Sequence, residues 1–298
     1  MRLSIRTALL VSSVVLGAGL ATPIAASSDG LTPSGHAAPV IVNRPRLLAP
    51  TSASVNSTWS ASNWSGYAES GTYTGISSSW TVPTVLASAT ATYSSTWVGV
   101  DGFTNSKLIQ VGTEQDYYGG SAHYNAWWEI LPAPESVLST SQYPVGPGNR
   151  MKASIYERAA TVAVTSGTST TVQHLWTIVL TDVTKGWTFT TTQPYNGSGA
   201  SAEWIHEAPV VNGATSTLAR YSVAAPAATG DFDNAGVRRS VLATGAAVSF
   251  QGAGLNYGLD AGVMVQHNVA VSTPSGPDAA LTAFNHAYGA LLPPKPVG

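Results

Sequence analysis

The chain has 298 residues and no cysteine. That removes a Cys nucleophile, a zinc finger, an iron–sulfur cluster and any disulfide framework. Charge is scarce as well. Asp, Glu, Lys and Arg make up 9% of the residues, against about 25% in an ordinary soluble domain. The polar surface must therefore come from Ser, Thr, Asn, Gln and Gly. Acid denaturation mostly protonates carboxylates that the native state holds in pairs or hydrogen bonds. A chain with few carboxylates has little to lose that way, so the composition suits an acidic medium. Four Arg and one Asp fall within residues 1–60, which leaves nine basic and fourteen acidic side chains, a net of −5, for residues 61–298. No basic patch points to nucleic acid.

Several catalytic signatures are also missing. The chain has no G-x-S-x-G elbow and no Asp-Thr-Gly or Asp-Ser-Gly of a paired-aspartate site. His206-Glu207 is followed by Ala208, Pro209 and Val210, so it is not H-E-x-x-H. Neither a metal nor a cofactor is expected.

What the chain does contain begins with a targeting signal. Arg2 and Arg6 precede an uncharged apolar run from Ala8 to Leu20, and Ile24-Ala25-Ala26 suits signal-peptidase cleavage. The run is shorter than the roughly 20 residues a spanning helix needs. Residues 1–26 are therefore expected to be a signal peptide, and the mature protein to be secreted, with no membrane association after signal removal. Residues 27–60 are rich in Pro, Ala, Ser and Thr, with no sustained periodicity, and read as a pro-segment or linker. Residues 61–298 form the expected main domain, taken to be a monomer.

From Trp64 onward, short runs rich in Val, Thr, Tyr and Trp alternate with turn residues. Examples are 77–83, 92–101, 121–131, 151–158, 161–167, 172–183, 186–193, 201–207 and 262–272. Thr184-Lys185-Gly186 reads as a hairpin turn. No window of twelve or more residues has a convincing 3.6-residue period. The pattern predicts an all-β fold, an antiparallel sandwich in one domain. About 230 mature residues can bury a sizeable core without disulfides.

Within strands, the pleat sends alternate side chains to opposite faces. Asn125, Trp127 and Glu129 then share one face, a polar, aromatic and acidic stripe suited to binding. Glu203, Ile205 and Glu207 share another. Two glutamates about 7 Å apart along a strand raise each other's pKa when partly buried. Gln110 is a lone amide in an apolar strand, and a buried amide needs a partner, here expected on a facing strand. These patterns rank Glu203 no higher than Glu129. A structural role is expected for His206.

Four blocks in order resemble the glutamic peptidases, also called eqolisins. They are Asn63-Trp64-Ser65-Gly66, Trp97-Val98-Gly99-Val100-Asp101-Gly102, Leu108-Ile109-Gln110-Val111-Gly112 continuing to Tyr124–Glu129, and Ala202-Glu203-Trp204-Ile205-His206-Glu207. The resemblance implies a sandwich of two curved antiparallel sheets, concanavalin-A-like or jelly-roll in architecture, with Gln110 and Glu203 as catalytic pair on the concave face. It also implies polypeptide substrates, activity in acid, and a basic pro-segment lying over an acidic site, a role open to Arg44 and Arg46. Trp64 and Trp127 would flank the cleft. Glu114, Asn125 and Glu129 would bind substrate or orient polar groups. The chain departs from the family pattern at Asn125 and Glu114, both commonly Asp, and in lacking disulfides. Two other functions fit the residues alone: a glycosidase using Glu129 and Glu203, and a non-catalytic sugar- or peptide-binding sandwich using Trp64 and Trp127.

Overall fold

A computed structural model describes residues 39–49, 59–221, 230–231, 261–276 and 283–295. The expected signal peptide and residues 27–38 and 50–58 of the expected pro-segment lie outside them. Among the described residues every regular element is a strand, and no helix is long and apolar enough to cross a membrane.

Two large sheets are built from the runs singled out above. In the larger, the strand order is His286–Tyr288, Val269–Pro274, Ala261–Gln266, Trp64–Ser70, Ser201–Glu207, Ser95–Val100, Ile109–Tyr118, Ser121–Ile130, Ser136–Val137. Trp59–Ala61 adds a parallel pairing to Ala261–Gln266. In the smaller, the order is Trp187–Tyr195, Ser169–Asp182, Arg150–Ser166, Gly75–Thr81, Gly230–Asp231, Ala283–Phe284. The remaining ladders of both sheets are antiparallel.

The turns explain the register. Tyr118 and Ser121 are joined by Gly119 and Gly120, with φ of 60° and 81°. Positive φ at both central residues gives the tight hairpin whose twist matches its strands. Val183–Gly186 forms the expected hairpin turn, with Asp182 Oδ1 accepting the Thr184 and Lys185 N–H groups at 2.8 Å. Two expectations are corrected. The runs 151–158 and 161–167 are one strand, Arg150–Ser166. The single run 262–272 is a hairpin, broken by His267 and Asn268 at φ 51° and 62°, a turn that carries no Gly to announce it.

The core lies between the sheets. Tyr67, Val98, Val100, Ile109, Val111, Ala202 and Trp204 of the larger sheet pack on Ile76, Trp80, Ile155, Ile178 and Leu180 of the smaller. A second cluster, including Trp59, Trp64, Trp97, Leu108, Trp127 and Ile205, covers the opposite, outer face of the larger sheet. An amphipathic sheet usually leaves that outer face to solvent; here it is apolar and covered. Ile155→Ala should remove about 3 kcal/mol of stability, read as a lowered urea midpoint with an unchanged slope.

Candidate active site

The pleat of Ser201–Glu207 turns Glu203, Ile205 and Glu207 to the outer face and Ala202 and Trp204 to the core. Its neighbours are Trp64–Ser70 on one side and Ser95–Val100 on the other. Three rows cross the sheet on that outer face. In the first, Glu129 stands opposite Gln110, Gln110 opposite Gly99, Gly99 opposite Glu203 and Glu203 opposite Ala68. The second runs Trp127, Gly112, Trp97, Ile205, Gly66, and the third Asn125, Glu114, Ser95, Glu207, Trp64. The structure thus brings all seven sequence-predicted site residues together on one face, from segments as far apart as Trp64 and Glu203.

Two glycines make room for this. A Cβ on Gly112 would come within 2.5 Å of Trp97 Cβ and 3.0 Å of Trp127 Cζ2, and one on Gly99 within 2.9 Å of Trp97 Cζ3. The tryptophan row closes up only because both positions lack side chains.

Gln110 has its partner, but on the adjacent strand of the same sheet rather than a facing one. Its Nε2 donates to Glu129 Oε2 at 2.6 Å, leaving Oε1 without a partner. Glu203 is fully buried, and the polar groups at its carboxyl are the Ser201 hydroxyl and the Phe103 backbone, which favour its ionised form. Glu114 is also fully buried, with Glu135 and Asn125 as its polar neighbours. Glu207 is saturated instead: it accepts from Trp97 Nε1 at 2.8 Å, Arg44 N at 3.0 Å and Asn63 Nδ2 at 3.3 Å. Asn63, Trp97, Glu207, Asp116 and Glu135 were not singled out as site residues. Asn63, Trp97 and Glu207 did lie within the blocks quoted above. Trp64 and Trp127 are wholly buried with residues 39–49 in place, and Trp64 meets Trp97 edge-on at 4.9 Å.

Burial pushes the Glu129 carboxyl up to about 9, with Glu207 adding to the shift, and the Glu207 carboxyl up to about 8. Glu114, Asp116 and Glu135 are likewise raised well above the ordinary range, first by burial and then by one another and neighbouring carboxyls. Glu203 is raised by burial, with the Asp101 charge adding to it. Burial, with Asp101 adding to it for Glu203, raises these two carboxyls, rather than Glu203 and Glu207 acting on each other. Among the described residues no three acidic or His side chains form a metal-binding group. His206 and His286 are buried on the other face, 5.7 Å apart by ring centroids. Burial holds the His206 imidazole down to about 3 and His286 well below its ordinary value.

Residues 39–49 lie on the site. Ile41–Val42 pairs with Val210–Val211, and Val42 packs against the tryptophan cluster. Asn43 is fully buried, accepting from Ser95 Oγ at 2.6 Å and donating to Glu135 Oε2 at 3.4 Å. Besides the Arg44 contact to Glu207, Leu47 N donates to Asn63 Oδ1 at 2.8 Å, and Arg46 N to Gly102 O at 3.2 Å. The Arg46 guanidinium lies 3.8 Å from the Phe103 ring centroid. Backbone N–H groups, an amide and a hydroxyl supply these hydrogen bonds, and the Arg44 charge favours the ionised form of Glu129, in line with the basic role expected of it.

The pH dependence of stability follows in sign. A carboxyl raised in the fold stabilises fully below its unfolded value near 4.5 and loses that contribution as pH rises toward 8 to 9. A His lowered in the fold stabilises above 6.5 and loses that contribution as pH falls toward 3. Thermal unfolding followed by circular dichroism should give its highest midpoint in mild acid, falling on both sides. Glu129→Gln should flatten the fall toward pH 9.

A family model described as the Peptidase A4 family matches residues 62–253. Among solved structures, scytalido-glutamic peptidase with a transition state analog inhibitor is similar at TM-score 0.53 and 21% identity, over 76% of this chain and 98% of that one. Aspergilloglutamic peptidase from Aspergillus niger is similar at TM-score 0.44 and 19% identity, over 66% and 99%. A search of curated proteins finds no match. The first of these likenesses supports the β-sandwich, and the family match spans the strands that carry all three rows of the outer face: the chain belongs to the Peptidase A4 family, the glutamic peptidases.

Proposed function

We propose that this peptidase is a secreted, acid-acting endopeptidase in which Glu203 activates water and Gln110 stabilises the oxyanion. The observation that carries the reading is the row Glu129–Gln110–Gly99–Glu203. It sets an amide and a carboxyl on one face, two strand spacings apart, about 10 Å between Cα atoms. The position between them is a glycine, so no Cβ stands in that row. A peptide carbonyl held there would have the amide on one side and the carboxyl on the other.

Amide hydrolysis needs a water deprotonated, the tetrahedral oxyanion stabilised and the leaving nitrogen protonated. Glu203 takes the proton from water and returns it to the amine. Gln110 Nε2 spends one hydrogen on Glu129, and its second remains for the oxyanion. Glu129, raised to about 9, is uncharged in acid, so it orients the amide without placing a negative charge beside the developing oxyanion. The arrangement gives less support to a glycosidase. Gln110 and Gly99 both stand between Glu129 and Glu203 in the row. The amide of Gln110 is also bonded to one of them.

Residues 39–49 act as the inhibitory part of a pro-segment in this reading. They keep the tryptophan cluster and the carboxyl rows dry, and burial is the first cause of the raised Glu203 carboxyl. Displacing them lets water reach Glu203, lowers its pKa and frees it to act as a base in acid. Trp64, Trp127, Glu114 and Asn125 then border the opened groove.

Purified full-length protein incubated with denatured casein should show a lag at pH 3–4 that ends as the N-terminal segment is cleaved, read by N-terminal sequencing. Gln110→Ala should lower kcat by about 10²–10³. Glu203→Gln should lower it by at least about 10²–10⁴ and leave the precursor uncut. Wild-type turnover in either variant would sink the reading.

A further inference from the structure

One buried carboxylate close to the site has no part in the mechanism above. Asp101 follows the strand Ser95–Val100 at φ 70°, in the left-handed region that non-glycine residues seldom adopt. It is fully buried. Tyr195 OH at 2.7 Å and Gly199 N at 3.0 Å donate to its Oδ2. Asn105 Nδ2 at 2.7 Å, Ala200 N at 2.8 Å and Ser198 Oγ at 3.4 Å donate to its Oδ1. Five donors on an acceptor-only group far exceed what a surface turn needs. Strained backbone persists where surrounding structure fixes it, and it gathers at functional sites.

Position gives the grip a consequence. Residues 198–200, three of the donors, run directly into the strand Ser201–Glu207. Asp101 N also donates to Ser201 O at 2.9 Å, so Asp101 holds the chain on both sides of the point where that strand begins. Glu203 is two residues further on. Tyr195 ends a strand of the smaller sheet, so the same carboxylate joins the two sheets at the Glu203 end of the row.

We propose that Asp101 is a positioning residue for catalysis, fixing the height of Glu203 relative to Gln110 and setting the charge against which Glu203 exchanges its proton. The inference rests on the role assigned to Glu203 above. Burial first, and the Asp101 charge with it, keep the Glu203 carboxyl above the ordinary range, while Ser201 and the Phe103 backbone oppose them. The other groups that face this end are few. Tyr195 is held well above the ordinary phenol range by burial, by Asp101 and by Glu203, so it stays neutral. Along the row stand Gln110 and Glu129, and on Glu203's own strand Glu207, which has its own donors. Arg46 lies over the Phe103 ring.

The test compares Asp101→Asn with Asn105→Ala, using kcat and KM as functions of pH on a peptide substrate, beside thermal midpoints. Asp101→Asn keeps the shape but removes the charge. Its kcat should fall about 10- to 100-fold, and the limb that reports Glu203 should move toward acid by about one pH unit. A purely structural aspartate would lower the thermal midpoint and leave that limb in place. Asn105 is only half-buried, so Asn105→Ala should fold, removing one donor and keeping the charge. Its kcat should drop about threefold, about 0.65 kcal/mol, with KM unchanged. A folded Asp101→Asn variant with the wild-type pH limb overturns the inference. So does a wild-type kcat in Asn105→Ala if Asp101→Asn does not fold. Activity surviving in Glu203→Gln would instead overturn the catalytic reading itself.

Discussion

The site depends on the insertion of Ser201–Glu207 between Trp64–Ser70 and Ser95–Val100. Ser201–Glu207 lies at least a hundred residues along the chain from both neighbours, and the backbone ladders leave no freedom once formed. A slip of one residue would turn Glu203 into the intersheet core and Trp204 out of it. The register is held by what each face buries. Ala202 and Trp204 fit the core against the smaller sheet, while Ile205 fits among the tryptophans outside. Packing on two sides thus fixes where a carboxyl stands relative to an amide two strands away.

The second constraint is electrostatic. Six carboxyls with raised pKa values, Glu114, Asp116, Glu129, Glu135, Glu203 and Glu207, occupy or border one covered face. Buried carboxylates without counter-ions are costly, and such groups neutralise instead. A face of this kind is stable when its carboxyls hold their protons, so these groups favour the fold in acid. The buried imidazoles His206 and His286 act in the opposite direction and set the limit on the acid side.

The all-β class, most strand positions and the face of each candidate residue were legible in the sequence, because alternation is a local property. Glu203 with Glu207, and Asn125 with Trp127 and Glu129, share their faces as the pleat requires. Partners were not legible. Gln110 needs a hydrogen-bond partner by its chemistry, but only the ladder between Ile109–Tyr118 and Ser121–Ile130 makes that partner Glu129. Glu207 looked equivalent to Glu203, yet its oxygens are taken by Trp97, Asn63 and Arg44. The hairpin at His267-Asn268 was not legible either, because its backbone takes positive φ without glycine.

By itself the sequence determined a cysteine-free, sparsely charged strand protein, and through its ordered blocks a membership in the glutamic peptidases. Composition, periodicity and short motifs are carried by neighbouring residues and need no fold to be read. The tertiary structure decided which carboxyl is saturated by donors, which strand supplies the partner of Gln110, and that residues 39–49 lie over the rows. Those are outcomes of non-local pairing and burial, and they come into existence only when the distant strands are placed side by side.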